Sequence, residues 1–322
     1  MIFPLAEFFH YITIGLAVGI NSVAVGLGEG LVSYAAIDAI HKQPGSRSEI
    51  ANANILGAAL IETSAVLGLF VAIILLLGTP TGIITLPIGI AQLGICFAIC
   101  FSGGVLGVVS GFPAQAACYA IGRQPFFAQK IVSFMIMTQA LIQTPIISAL
   151  IVSLFINSQS LSSTTISDAL RLLAAGLAVG IGSVGPAIGL ALFAKKAVEA
   201  IGKNKKAYNK ILSFTLLSEA IIEMPVIFCM IIAIILLFIV PRITQESYVK
   251  AIAYVSAALC IGISTFGPGI SSGRSAGAAC EQIGANPENY SALSRVSLFS
   301  QGLIETVVIY AILVSLLLIF LS

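Results

Sequence analysis

The sequence predicts an all-α membrane protein of four tandem transmembrane helical hairpins, about eight spans, that assembles into a ring. Three observations predict it. Of 322 residues, 58% are hydrophobic and only 9% are charged. Apolar runs of about 20 residues, the length an α-helix needs to cross roughly 30 Å of hydrocarbon, recur along the whole chain. One pattern also returns four times: "ALIETSAVL" around Glu62, "ALIQTPIIS" around Gln143, "AIIEMPVIF" around Glu223 and "GLIETVVIY" around Glu305, at offsets of 81, 80 and 82 residues. Helices of a soluble core would be shorter and separated by charged faces. A formal net charge of +2 is too small to point to a nucleic-acid partner.

The first helix starts near Leu5 with no Lys or Arg ahead of it, so it lacks the basic region of a cleavable signal peptide and is read as a spanning helix. Twenty residues before each member of the repeated column lies a short polar turn: Lys42-Gln43-Pro44, Arg123-Gln124-Pro125, Lys203-Asn204-Lys205 and Ala285-Asn286-Pro287. Each repeat is therefore two long helices joined by a tight loop. The hairpins are expected to cover residues 1–80, 81–160, 161–243 and 244–322. Twelve of the fifteen Lys and Arg residues flank the tight loops, and only Arg171, Arg242 and Lys250 lie among the connectors between hairpins. Basic residues accumulate on the cytoplasmic side, which puts these loops in the cytoplasm and both termini on the opposite side.

The first helix of each hairpin carries a column pattern of small residues. In register these are Gly15/Cys96/Gly176/Ala258, Gly19/Cys100/Gly180/Gly262, Ser22/Gly103/Ser183/Thr265, Gly26/Gly107/Ala187/Gly269, Gly30/Gly111/Ala191/Gly273 and Ser33/Ala114/Ala194/Ala276. Steps of 4, 3, 4, 4 and 3 place them on one helical face, and such faces let helix backbones approach closely in lipid. First helices packed through these faces form an inner cylinder with the second helices outside. The six cysteines have neither CxxC spacing nor neighbouring histidines, so neither a metal site nor a disulfide framework is expected. Cys96 and Cys100 read as fillers of the small face. His10 and His41 read as interfacial residues near opposite membrane faces.

Three of the four repeats hold Glu at one register in mid-membrane. An ionised carboxylate there costs about 2.5–3.5 kcal/mol on insertion scales and must be neutralised by a proton, a cation or a partner. No Lys or Arg lies near it on the same helix. A group that is neutral in lipid and ionises on meeting water or a fixed positive charge is suited to carrying ions.

These residues resemble the c subunit, or proteolipid, of the membrane rotor of rotary ATPases and ATP synthases. The resemblance covers essentially the whole chain as four fused hairpins. It is most specific in "GLGEGLVSYAAIDAIHKQP" (26–44), "GPAIGLALFAKKAVEAIGK" (185–203), "GPGISSGRSAGAACEQIGANP" (267–287) and "LIETVVIY" (303–310). It implies that other copies of the chain complete a ring in the lipid. A stator a-type subunit would offer two half-channels and an Arg, and central-stalk subunits would bind the loops at Lys42, Gln43, Pro44, Arg123, Gln124, Pro125, Lys203, Asn204, Asn286 and Pro287. The Gln-Pro turns and GPG segments lean towards the F-type, whereas fusion of hairpins and loss of one carboxylate are more familiar from V- and A-type rotors.

Two residues depart from the family pattern. Gln143 occupies a carboxylate position and cannot exchange a proton. Glu29 stands where sodium-binding members carry Gln on the first helix, so Glu29 is expected to meet Gln143 as an exchanged pair. The rival pairing sets it against its own Glu62 or against Glu305 of the next chain. For the ion, Na⁺ needs several neutral oxygens beside the carboxylate whereas H⁺ needs one titrating oxygen. Hairpin 4 offers Glu305, Thr306, Tyr310, Gln301 and Ser272, and hairpin 1 offers Glu62, Thr63 and Ser64, both sodium-like. Hairpin 3 offers Glu223, with Met224, Pro225 and Leu190 around it, and is proton-like, with Glu219 one turn earlier on the same face. The expectation leans to Na⁺ with H⁺ open, and no other cofactor is implied. No GxxxxGK[ST] loop is present, so nucleotide chemistry belongs to partners and the chain is not an enzyme by itself. A secondary transporter built from repeats and a carboxylate-lined channel are the alternatives.

Overall fold

The structure is a computed structural model and describes residues 5–79, 84–239 and 248–321. Arg242 and the hairpin boundaries expected at 80/81 and 243/244 lie outside the described residues. Among the described residues eight long helices form: α1 (Leu5–Lys42), α2 (Pro44–Gly78), α3 (Leu86–Arg123), α4 (Pro125–Ser160), α5 (Ile166–Lys203), α6 (Lys205–Phe238), α7 (Tyr248–Ala285) and α8 (Pro287–Leu321). Each is long and apolar enough to cross a membrane.

A single non-helical residue joins the two helices of each hairpin: Gln43, Gln124, Asn204 or Asn286. A short 3₁₀ turn follows each time, and in α2, α4 and α8 it begins with proline, whose missing N–H costs nothing in a first helical turn. The loop amides also tie neighbouring hairpins together. Gln124 Nε2 donates to Gly202 O at 2.9 Å and Asn204 Nδ2 to Gly284 O at 3.0 Å.

The odd-numbered helices α1, α3, α5 and α7 pack side by side in chain order, and the even-numbered helices form a second layer over them. α2, α4 and α6 each lie over their own first helix and the first helix of the next hairpin. Close approach in the inner layer depends on glycine. A Cβ at Gly176 would strike the backbone of Gly94, one at Gly189 that of Gly269, and one at Gly273 that of Gly189. All six small-face columns are buried in α3, α5 and α7. On α1 the same face is uncovered, and Gly15, Gly19, Gly26 and Gly30 have nothing within 4 Å of an added Cβ.

The run of regular helix is broken by one residue at Glu62 in α2, Ser110 in α3, Gln143 in α4 and Thr265 in α7, although the backbone of each still makes i, i+4 hydrogen bonds. In α4 the interruption precedes Thr144-Pro145, where proline removes a donor. α6 continues through Pro225 and α5 through Pro186. Two polar residues sit differently from the interfacial and connector positions expected for them. His10 is 2% exposed and its Nδ1 lies 2.7 Å from Gln92 Oε1, because α1 and α3 pack together there. Arg171 lies within α5, where it binds Asp168 and Gln159 and donates to the carbonyls of Leu236 and Leu237 at the end of α6. A helix C-terminus presents unpaired carbonyls that a guanidinium can satisfy.

Candidate ion site

The column of Glu62, Gln143, Glu223 and Glu305 lies in the outer layer, midway along α2, α4, α6 and α8. Its partner column on the inner helices is Glu29, Ser110, Leu190 and Ser272, 33 residues earlier in each hairpin. The best-defined member is in hairpin 4. Glu305 is buried, Ser272 Oγ donates to its Oε1 at 2.9 Å, and Oε2 has no partner.

In hairpin 1, Glu29 lies within hydrogen-bonding and electrostatic reach of Glu62. The exchanged pair of Glu29 with Gln143 is not formed. Gln143 Nε2 instead donates to Leu60 O at 3.1 Å. The reason is the order of the layers: α2 lies over α1 and α3, so its Glu62 meets Glu29, while α4 is seated one groove further on. The amide of Gln143 binds a backbone carbonyl of the preceding outer helix and so fills its own position with a neutral group. Glu62 itself is exposed on the open side of hairpin 1, Thr63 is half-buried, and Ser64 is fully buried with its hydroxyl unpartnered.

In hairpin 3, Glu223 is half-buried, one carboxyl oxygen is unpartnered, and Thr144 of the preceding outer helix lies beside it. The site thus draws on three elements: the outer helix of one hairpin, its own inner helix, and the outer helix of the hairpin before. Thr144 was missed from the sequence, although its +1 column (Thr63, Thr144, Met224, Thr306) is visible there.

The oxygen-rich set expected around Glu305 does not assemble within the chain. Thr306 is exposed and donates to Leu303 O at 2.6 Å, and Tyr310 is 67% exposed. Gln301 is fully buried but donates to Ser218 Oγ at 3.2 Å and Ser297 Oγ at 3.1 Å. It belongs to a second column, one turn before the first, that is polar in three hairpins (Gln139, Glu219 and Gln301) and Ala58 in the first. Gln139 was another residue missed from the sequence, and it donates to Gly57 O at 3.3 Å and Ser110 O at 2.9 Å.

The four tight loops hold most of the remaining charge. Lys42 pairs with Asp38 at 2.6 Å, and Lys203 with Glu281 at 3.5 Å. Loops 2 and 3 flank a cleft lined by Arg123, Gln124, Pro125, Phe126, Phe127, Lys203, Asn204, Lys205 and Lys206. Phe126 is fully exposed there.

Residues 12–75, 173–236 and 255–318 match the family model of the ATP synthase c subunit. These segments lie in the first, third and fourth hairpins, and the hairpin of Gln143 lies outside them. Curated relatives match one hairpin's length of chain. The ATP synthase c subunit of Dehalococcoides mccartyi is 41% identical over 73 residues, which is 23% of this chain and 96% of the relative. The ATP synthase c subunit of Chloroflexus aurantiacus is 35% identical over 71 residues, 22% of this chain and 93% of the relative. That of Prochlorococcus marinus is 42% identical over 75 residues, 23% of this chain and 93% of the relative.

Proposed function

Because the chain belongs to the ATP synthase c subunit family, and is thereby an integral membrane rotor subunit of an ATP synthase, we propose that it carries protons on Glu62, Glu223 and Glu305, three per chain. The observation that carries the choice of ion is the surroundings of Glu305, where among the described residues Ser272 is the single side-chain hydrogen-bond donor. One hydroxyl suffices for a carboxyl that takes up a proton, whereas sodium needs several neutral oxygens. The apolar Leu190 beside the Glu223 register supports the same choice. A rotor must carry one ion at all its working sites, so the poorest site decides.

Hairpin 2 carries no ion in this reading, since an amide does not titrate and the Gln143 amide is committed to Leu60 O. The uncovered small face of α1 supports assembly with further copies, because the equivalent faces of α3, α5 and α7 are each covered by the preceding first helix. By the same repeat, the Glu29–Glu62 site borrows the outer helix of another copy, where Thr306 occupies the place that Thr144 holds beside Glu223. A stator subunit with an Arg would unload and reload each carboxyl as it passes. The loops between Lys42 and Pro44, Arg123 and Pro125, Lys203 and Asn204, and at Asn286 and Pro287 would face the cytoplasm and bind the central stalk. The basic cleft between loops 2 and 3 favours an acidic partner surface there. A transporter has one central site per molecule; recurrence of the acidic register in three hairpins favours the rotor.

The test is ATP-driven pumping by the complete complex in proteoliposomes. Acidification of the lumen without added sodium, unchanged in rate when sodium is supplied, is the expected result. A requirement for sodium would overturn the assignment of the ion.

A further inference from the structure

Glu219 is the polar group of the membrane-spanning layers that the rotor mechanism leaves unused. Its side chain is 2% exposed and both carboxyl oxygens lack a hydrogen-bond partner. The residues at its register in α4 and α8 are glutamines whose amides reach back to the preceding outer helix. An amide therefore satisfies whatever packing this level requires, and hairpin 3 alone replaces it with an acid.

The groups that act on Glu219 are few. Glu223 lies one turn along the same helix, and i, i+4 residues share a helical face. Cys280 of α7 lies beside Thr215, another turn back on α6, and within electrostatic reach of Glu219, and Thr215 is also fully buried. Thr144 of α4 reaches Glu223 but not Glu219. From α5 the residue opposite Glu223 is the apolar Leu190, and from α8 Gln301 binds Ser218, the residue before Glu219. Among the described residues no Lys, Arg or His charge acts on Glu219. A carboxyl in such surroundings rests as the neutral acid, and its ion, buried without compensation, is a short-lived state that ends when a proton returns through Glu223.

We propose that Glu219 is a second proton-holding carboxyl of hairpin 3, filled and emptied through Glu223. When Glu223 gives up its proton, the pair retains one proton and one negative charge. The O–H bond of Glu219 breaks as a new one forms on the Glu223 carboxylate, so the charge moves one turn inward and Glu223 is recharged. The reverse transfer refills Glu219. The inference rests on Glu223 exchanging protons, as proposed above.

Infrared spectroscopy of the purified assembly in lipid tests it without measuring pumping. The C=O band of the protonated Glu219 is identified as the one lost in Glu219→Gln, a variant that packs because glutamine already stands at this register in α4 and α8. On transfer to D₂O this band shifts as deuterium replaces the proton, and in Glu223→Gln the shift is expected to slow by roughly tenfold or more, the removal of the only route costing at least about 1.4 kcal/mol in barrier. Absence of a lost band in Glu219→Gln would mean that Glu219 is ionised and would overturn the proposal. So would exchange at an undiminished rate in Glu223→Gln. If instead Glu223→Gln slows the band while coupled pumping persists, the rotor assignment of Glu223 fails and the local transfer stands.

Discussion

Gly189→Leu is expected to unfold the inner layer of the chain, whereas Gly26→Leu leaves the chain folded and prevents it from joining a second copy. The two positions are both glycines of first helices, and their surroundings differ completely. A Cβ at Gly189 would lie on the carbonyl oxygen of Gly269, and a Cβ at Gly273 on the backbone of Gly189, so α5 and α7 touch main chain to main chain. Backbone cannot rotate aside as a side chain does. Extra methylenes in a packed interior cost about 1–3 kcal/mol even where neighbours yield, and a leucine here must push α5 and α7 apart over several turns. Gly26 has nothing within 4 Å of its Cβ direction, yet it shares a column with Gly107, Ala187 and Gly269, all buried against the preceding hairpin. Thermal unfolding in detergent separates the first effect, and native mass spectrometry of the assembly separates the second. A Gly26→Leu chain that still assembles would show that α1 is not the contact between copies.

Glu223→Gln and Glu305→Gln are each expected to lower coupled turnover by roughly 100-fold, about 2.7 kcal/mol in barrier. A glutamine cannot release a proton, so the hairpin arrives at the stator with nothing to ionise. Structure supplies the precedent, because hairpin 2 already holds glutamine at this register and packs normally, with Gln143 4% exposed and its amide on Leu60 O. Loss of turnover in these variants is therefore a loss of exchange, and thermal unfolding should change little. The Glu305 variant keeps an acceptor for Ser272 Oγ in its amide oxygen. The measurement is ATP hydrolysis coupled to proton uptake in proteoliposomes, and turnover within twofold of the parent would contradict the expectation.

The hairpins, their single-residue turns and the buried small faces were legible because all three repeat at offsets near 81 residues, and a repeat needs no knowledge of the fold. The acidic column was legible for the same reason, with its one exception at Gln143. Contacts between hairpins were not. Whether Glu29 meets Glu62 or Gln143 depends on which groove each outer helix occupies, and that is decided by packing rather than by any local pattern. The repeat alone therefore leaves Glu29 between Gln143 and the rival Glu62, and packing selects Glu62. The same ignorance gathered Thr306, Tyr310 and Gln301 around Glu305, where one is bound to its own helix backbone, one is turned outward and one reaches to hairpin 3. His10 illustrates a further limit: a histidine near a helix end reads as interfacial until a glutamine 82 residues away is brought against it.

The central claim is that mid-membrane carboxyls take up and release protons at three hairpins of the four. Site-resolved labelling of the assembled protein with a hydrophobic carbodiimide, which reacts with protonated carboxyls, tests it most directly. Modification of Glu62, Glu223 and Glu305 is expected to decline as pH rises, with no modification in α4 and no protection by sodium. Failure to modify these three at low pH, or protection of them by sodium, would contradict it.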